Sequence, residues 1–464
     1  MRLQTMTTLY CARWVLPISS SPIADGAIAV AESQIIGVGT RATLAEEFSQ
    51  ATVRDFGESA IIPGLINAHS HLELTAMRGF LEDEESDFFA WLKKLTVARL
   101  ERMTADDLRV SAAWGACEAA RAGVTCVADA SDAAFESMNA LRDVGLRGIV
   151  FQESFGPDRR LAKENFEKLK TKVVRLRERE TDLVRVGVSP HAPYTVCAPQ
   201  LELISRFALD EQLPVMMHAA ETRMEVALLR EGRGPFADGL RNRGIEWDTP
   251  GVSTIQYLCD HGVLETHPLL AHCIHVDGAD LETLRQTETR VAHCPKSNAK
   301  LGHDRAPFAR MIEKGIAVGL GSDSVASNNT CDLLEEARFA LLLARTAVGE
   351  SLVDRQLNQQ GGSLGADVAL KAATVDGARA LGMSAQTGAL KAGMQADFTV
   401  VSLDGPHQVP TYDPVSTLLF ASSGRDVVLT VVAGSEVYRD GRVTTVDEDR
   451  LRARMKEIAE KLKA

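Results

Sequence analysis

Eight short apolar runs constrain the fold of this chain more than any other feature of its sequence. They are AIIPGLINAH, GVTCVADA, LRGIVFQES, LVRVGVSPH, LPVMMHAAE, LLAHC, TRVAHCP and IAVGLGSDS, spread between residues 60 and 324. Between most of them lie segments such as LAKENFEKLKTKVVRLRER and DLETLRQTE, whose apolar residues recur at helical spacing. Strands that are apolar throughout are buried on both faces, as happens in parallel sheets covered by helices. Eight strand-then-helix repeats therefore predict an α/β chain closed into a (β/α)8, TIM-like barrel. An open, doubly wound sheet gives the same alternation, but the G-x-G-x-x-G turn that would favour it does not occur.

The 464 residues leave room for more than a barrel. Residues 1–60 read as short strands broken by turns, as in ADGAIAVAESQIIGVG, and residues 386–445 return to that pattern. The two segments are expected to combine in a small β-sandwich module built from both chain ends, around a barrel spanning 61–385. Residues 446–464 place Leu451, Met455, Ile458 and Leu462 at helical spacing, which predicts a surface-packed helix.

Hydrophobic residues at 45% and charged residues at 25% fit a soluble globular enzyme. A net charge of -12 gives nucleic acid or an anionic membrane no electrostatic help, so neither is expected as a partner. The expected partners are a small-molecule substrate and, at most, further copies of the same chain. Eight cysteines form no C-x-x-C pair, and several, such as Cys126 and Cys273, sit in apolar runs, which suits free thiols in a reducing compartment. The first residues lack a signal-peptide pattern and no run of 18 uncharged apolar residues occurs, so the cytoplasm is the expected location.

In such a barrel the side chains that do chemistry gather at the carboxyl ends of the strands. Six of the 11 histidines fall there: His69 and His71 on the first run, then His191, His218, His272 and His293; Asp323 closes the eighth run. His69 and His71 are two residues apart and so share one face of a strand. With a third imidazole and a carboxylate they make a nitrogen-and-oxygen site suited to Zn²⁺ or Fe²⁺, whose open position would hold an acidified water. Glu221, three residues after His218, is placed to shuttle a proton from that water to a leaving nitrogen. His272 could orient the bound hydroxide. His261, His267, His275, His303 and His407 carry no such signal.

Taken together, PGLINAHSHLEL, HAAET, AHC, HCPKSNAKLG and GLGSDSVASNNTCDLLEEAR resemble the amidohydrolase superfamily, in its aminohydrolase branch. The resemblance covers nearly the whole chain, since DVALKAATVDGARALGM and GALKAGMQADFTVV are similar to that family's C-terminal region. It implies metal ligation by His69, His71, His218 and Asp323, with Glu221 as proton shuttle, His272 as hydroxide-orienting residue and His191 as substrate contact; Glu221, His272 and Asp323 are thus the expected catalytic residues. The fourth run has no lysine to bridge two ions, so one divalent ion is expected, zinc by choice with iron as the alternative. The implied reaction is hydrolytic deamination of an adenosine-like nucleoside, of the aminodeoxyfutalosine or S-adenosylhomocysteine/methylthioadenosine type. A triazine or cyclic-amide hydrolase and a non-catalytic scaffold are the alternatives. After Trp91-Leu92 the chain reads KKLTVARLERM and lacks the Pro-x-Glu of the methylthioadenosine/S-adenosylhomocysteine deaminases. The long first loop is expected to bring Trp91 and Arg99 to the substrate, Arg99 to grip a substrate carboxylate, and Glu221 at the end of the fifth run is expected to contact the substrate as well.

Overall fold

The computed structural model describes residues 7–347 and 364–463. The chain opens with β1 (Thr7–Val15), β2 (Ile23–Ala31), β3 (Gln34–Thr40), β4 (Thr52–Asp55) and β5 (Ser59–Pro63), with one short helix, Arg41–Glu47, capped by Thr40. The eight apolar runs then each supply one strand. These are β6 (Leu65–Ser70), β7 (Val124–Ser131), β8 (Arg147–Ser154), β9 (Val184–Pro190), β10 (Met216–Ala219), β11 (Leu269–His272), β12 (Arg290–His293) and β13 (Val318–Leu320). The first run divides at Gly64, where a Cβ would lie 2.1 Å from the Thr125 hydroxyl; its first half becomes β5.

Strands β6 to β9 form one parallel four-stranded sheet and β10 to β13 a second. Single parallel bridges join the two at both margins, Val188 to Val215 and Ser70 to Asp323, so the eight strands succeed one another in ring order. Every residue of β6, β7 and β8 is buried, which explains why these runs are apolar instead of alternating. Ile66, Ala68, Cys126, Ala128, Phe151 and Met216 pack together with residues of the helix Val375–Ala380. Leu65, Val127, Val150 and Val186 face the opposite way, into the larger cluster made with the helices. Small alanines and bulky Ile, Phe and Met share the first cluster, as a narrow interior requires.

The chain ends meet. β14 (Phe398–Ser402), β15 (Val427–Val432), β16 (Ser435–Arg439) and β17 (Arg442–Val443) continue the N-terminal strands in one nine-stranded sheet of order β17-β16-β15-β14-β5-β1-β2-β3, with β4 also on β1. The seam is the antiparallel pairing of β5 with β14, Ile61 opposite Val400. A buried ion pair ties this sheet to the ring: Arg147 at the start of β8 donates from Nε to Asp397 Oδ2 (2.7 Å) and from Nη2 to Oδ1 (3.2 Å). The expected terminal helix spans Glu448–Lys463 and buries Ile458 and Leu462. Its Lys461 (2.8 Å) and Arg454 (3.3 Å) reach the buried carboxylate of Asp107 on the helix Ala105–Arg121. Among the described residues no helix is long and apolar enough to cross a membrane.

Candidate metal centre

His69 lies within β6 and His71 just beyond it, and both rings turn to the same side, their centroids 4.8 Å apart. Asn67, two residues earlier, anchors the opposite end of the ring, because its Oδ1 accepts from the Ser322 backbone N–H (2.9 Å). Asp323 donates its own backbone N–H to the His69 carbonyl (2.9 Å). Gly321 makes this approach possible: a Cβ there would sit 2.8 Å from the His69 Cβ. Asp323 and His272 both have left-handed backbones, φ +56 and +73, which turn the chain away from the strand ends.

The hydrogen bonds fix what each imidazole offers. His218 Nδ1 meets the His191 carbonyl (2.9 Å), His71 is hydrogen-bonded to the Ala130 backbone, and His69 Nδ1 lies 3.2 Å from the Met216 sulfur. The His191 carbonyl can only accept, which puts the His218 proton on Nδ1 and leaves a lone pair on Nε2; His69 and His71 likewise turn Nε2 inward. Those Nε2 atoms converge: His71 and His218 are 3.1 Å apart, and the buried His69 Nε2 has no hydrogen-bond partner. Burial holds His71 down to about 4 and His218 well below the usual imidazole range, so the rings stay neutral. Asp323 completes the set. Its Oδ2 accepts from Ser297 (2.6 Å) and Ser327 (3.0 Å), while Oδ1 faces His69 (3.4 Å) and His71 (3.5 Å). Burial opposes its ionisation, yet the facing imidazoles of His69, His272 and His71 hold it well below the carboxylate range. Imidazole nitrogens of His69, His71 and His218 that face one another, with the Asp323 carboxylate against the first two, are stable together when a cation lies between them, so this donor set fits a divalent ion.

Glu221 sits beside the cluster on the turn after β10. Glu225 shapes that turn by accepting from the backbone N–H groups of Ala220 (2.8 Å) and Glu221 (3.2 Å). Burial pushes the Glu221 carboxyl up to about 7, the range of a group that both takes and gives a proton at neutral pH. Its Oε1 faces His272 Nε2 (3.7 Å), whose Nδ1 is held by Asn298 Oδ1 (2.9 Å). Burial opposes protonation of His272, but the facing carboxylates of Glu221 and Asp323 raise it above the ordinary histidine value.

His303, set aside in the sequence as ordinary, belongs here: it is buried, with Nε2 3.6 Å from Glu221 Oε1. Only the turn after the helix Pro295–Lys300 brings it in, and no spacing in the sequence signals that. His261 and His267 hydrogen-bond near the surface with Glu202 and the Thr287 carbonyl, and His407 with Asp426. His293 stacks on Phe308, ring centroids 5.3 Å apart.

A pocket opens over the cluster, walled by the helix Phe88–Arg102, which Asp87 caps. Phe88 and Trp91 stack at 5.8 Å and line it, whereas Phe89 turns away onto Phe236. His191 also lines it, with Nδ1 on Thr195 Oγ1 (2.8 Å). Arg99 reaches the pocket but is already engaged: Nε donates to Glu73 (2.7 Å) and Nη2 pairs with Asp132 (3.2 Å). Glu153 adds a further buried carboxyl, pushed well above its usual range by burial and by Glu73. The expected grip of Arg99 on a substrate carboxylate therefore meets a guanidinium whose charge two protein carboxylates already balance.

Residues 60–437 match the sequence model of the Amidohydrolase family. The chain is 32% identical over 447 residues to the 5-methylthioadenosine/S-adenosylhomocysteine deaminase of Syntrophobacter fumaroxidans, with 94% of each protein covered. Its fold is similar to the crystal structure of an adenosine deaminase from Xanthomonas campestris with bound zinc (TM-score 0.84, 24% identity, 99% of each chain covered). It is also similar in fold to the zinc complex of an atrazine chlorohydrolase from Arthrobacter aurescens (TM-score 0.82, 22% identity, covering 97% of this chain and all of the other).

Proposed function

Because the chain belongs to the amidohydrolase family, we propose that it is a metal-dependent hydrolase that deaminates an adenosine-like nucleoside and releases ammonia. The observation that carries this reading is the pairing of two features at one pocket: the clustered imidazoles of His69, His71 and His218 with Asp323 against the first two, and a buried carboxyl poised near neutrality beside them. On this reading the ring of eight strands is a (β/α)8 barrel within residues 61–385. Residues 1–60 and 386–445 form the β module, and 446–464 the terminal helix. The protein would work in the cytoplasm on a small molecule.

His69, His71, His218 and Asp323 would hold one divalent ion, zinc by ligand type with iron as the alternative. When bound, such an ion lowers the pKa of water toward neutrality and draws electron density from the carbon under attack. The protein's own groups do the rest. Glu221 takes a proton from the attacking water and passes it to the amine nitrogen, and the water's second proton ends on the ring nitrogen beside the reacting carbon, so the C–N bond breaks to ammonia while the ring carbon keeps the oxygen as a carbonyl. His272 Nε2, fixed by Asn298, orients the incoming oxygen. Trp91 and Phe88 offer a flat apolar wall to the base, and His191 hydrogen-bonds the substrate. Arg99, held on the pocket wall by Glu73 and Asp132, would present its guanidinium to a carboxylate on the substrate.

An ammonia-release screen of metal-loaded protein against adenine nucleosides, triazines and cyclic amides tests the reading. Ammonia from an adenine nucleoside supports it. Turnover of a chlorinated triazine without ammonia moves the chain to the dehalogenating alternative, for which Glu221 has no leaving nitrogen to protonate. No turnover of any of them favours a scaffold.

A further inference from the structure

We propose that His303 is a positioning residue that holds the Glu221 carboxylate in place for proton transfer. The inference rests on the reading of Glu221 given above and adds a partner to it. The buried His303 Nε2 has no hydrogen-bond partner of its own. It lies 3.6 Å from Glu221 Oε1, the oxygen that His272 Nε2 approaches to 3.7 Å from another element. Two imidazoles thus flank one carboxylate oxygen. At 3.6 Å the contact is slightly longer than a hydrogen bond, as contacts to reacting groups commonly are before substrate closes the site.

The ring is held to this task from two directions. Its backbone N–H donates to the Asn298 carbonyl (2.9 Å), and Gly302 with φ +68 provides the turn. The same short segment supplies Ser297 to Asp323 and Asn298 to His272, so three residues of one helix and turn serve three members of the site. On its other side the His303 ring meets the edge of Phe88 at 4.6 Å and 89°. Phe88 stands on the helix that walls the pocket, so His303 joins that wall to the proton-carrying group. Burial holds the imidazole down to about 4, and a neutral ring with its proton on Nε2 donates to the carboxylate without competing for the transferred proton.

The test compares His303→Phe, which keeps the contact with Phe88 but removes the donor, with His303→Gln, which retains one. We expect His303→Phe to lower kcat about tenfold or more, the usual effect of deleting a hydrogen bond to a charged group, with KM and metal content unchanged. His303→Gln should recover most of the loss. In a Glu221→Gln background His303→Phe should cost nothing further, because the two residues act as one unit. In protein labelled with ¹⁵N-histidine, the His303 Nε2 resonance should move when Glu221 becomes Gln. Wild-type kcat in His303→Phe, equal loss in His303→Gln, or losses that multiply with Glu221→Gln would overturn the proposal. If the wild-type protein deaminates nothing, the functional reading fails, and the resonance still decides the pairing: movement supports it and constancy removes it.

Discussion

Replacing Glu221 with Gln isolates proton transfer from everything else the site does. The side chain is 4% exposed, so Gln fills the same volume and opens no cavity. Its amide oxygen can still face His272 and His303, and none of the four proposed ligands is altered. What disappears is a carboxyl that burial has raised to about 7, which at neutral pH is divided between its two protonation states. Losing a general acid/base costs about 10²- to 10⁴-fold in kcat. At about 1.4 kcal/mol per decade that is a barrier increase of roughly 3–5 kcal/mol. The assay is initial-rate ammonia release on the best nucleoside from the screen, with elemental analysis and the melting temperature measured on the same preparation. Full metal content and an unchanged melting temperature should accompany the slow rate. A variant that retains its metal and turns over near the wild-type rate would refute the shuttle role. Loss of metal together with activity would place Glu221 among the ligands instead.

Further expectations follow from other parts of the molecule. Elemental analysis should find about one divalent ion per chain, falling to near none in His69→Ala; two ions in the wild type would refute a single four-ligand site. Asp323→Asn should lose both metal retention and turnover, whereas Asn that keeps both would remove Asp323 from the ligand set. Asp397→Ala leaves the Arg147 guanidinium buried without its partner, at about 3–5 kcal/mol, and should lower the melting temperature by several degrees. The double change Arg147→Met with Asp397→Leu should recover part of that loss, and equal melting temperatures for both variants would contradict the account. Asp107 is held below the usual carboxylate range: burial opposes ionisation, but Lys461 and the capping bonds of Thr104 outweigh it. Its contribution to docking the terminal helix is therefore complete above about pH 4–5 and is lost as the pH falls through the carboxylate range. Hydrogen exchange over 448–463 should quicken there, and protection that persists to pH 3 would speak against the linkage.

The ring of strands was legible because burial on both faces leaves an unbroken apolar run, and eight such runs survive in the sequence as eight segments. The cluster was legible for a related reason: His69, His71, His218 and His272 lie on or next to strand ends, where a local pattern reports a position in space. Asp323 was findable by the same rule, although it stands three residues past its strand and reaches the cluster through a left-handed turn. Residues brought in by loops carry no such mark. His303 depends on a turn after a six-residue helix, and Glu153 lies in an unbroken buried strand. Arg99 shows the limit most clearly. Its position on the pocket helix was foreseeable, but its partners Glu73 and Asp132 come from two other segments, so a cation that reads as available in the sequence is already paired. The single nine-stranded sheet through both chain ends was visible only as two stretches of similar character; the β5–β14 seam depends on long-range register.

That seam has a consequence for how the protein is made. When the N-terminal strands leave the ribosome, β5 can pair with β1, but its other edge stays open until residues 398–402 have been synthesised. The strand is wholly buried in the finished protein, so during synthesis an apolar edge waits for most of the chain to follow. Such an edge invites pairing with another nascent chain, and slow elongation or a stop before residue 398 lengthens the exposure. Products truncated there would keep the histidine cluster's strands intact in sequence yet present an unfilled strand position, and should be recovered as aggregates unless a peptide spanning β14 to β17 is supplied in trans.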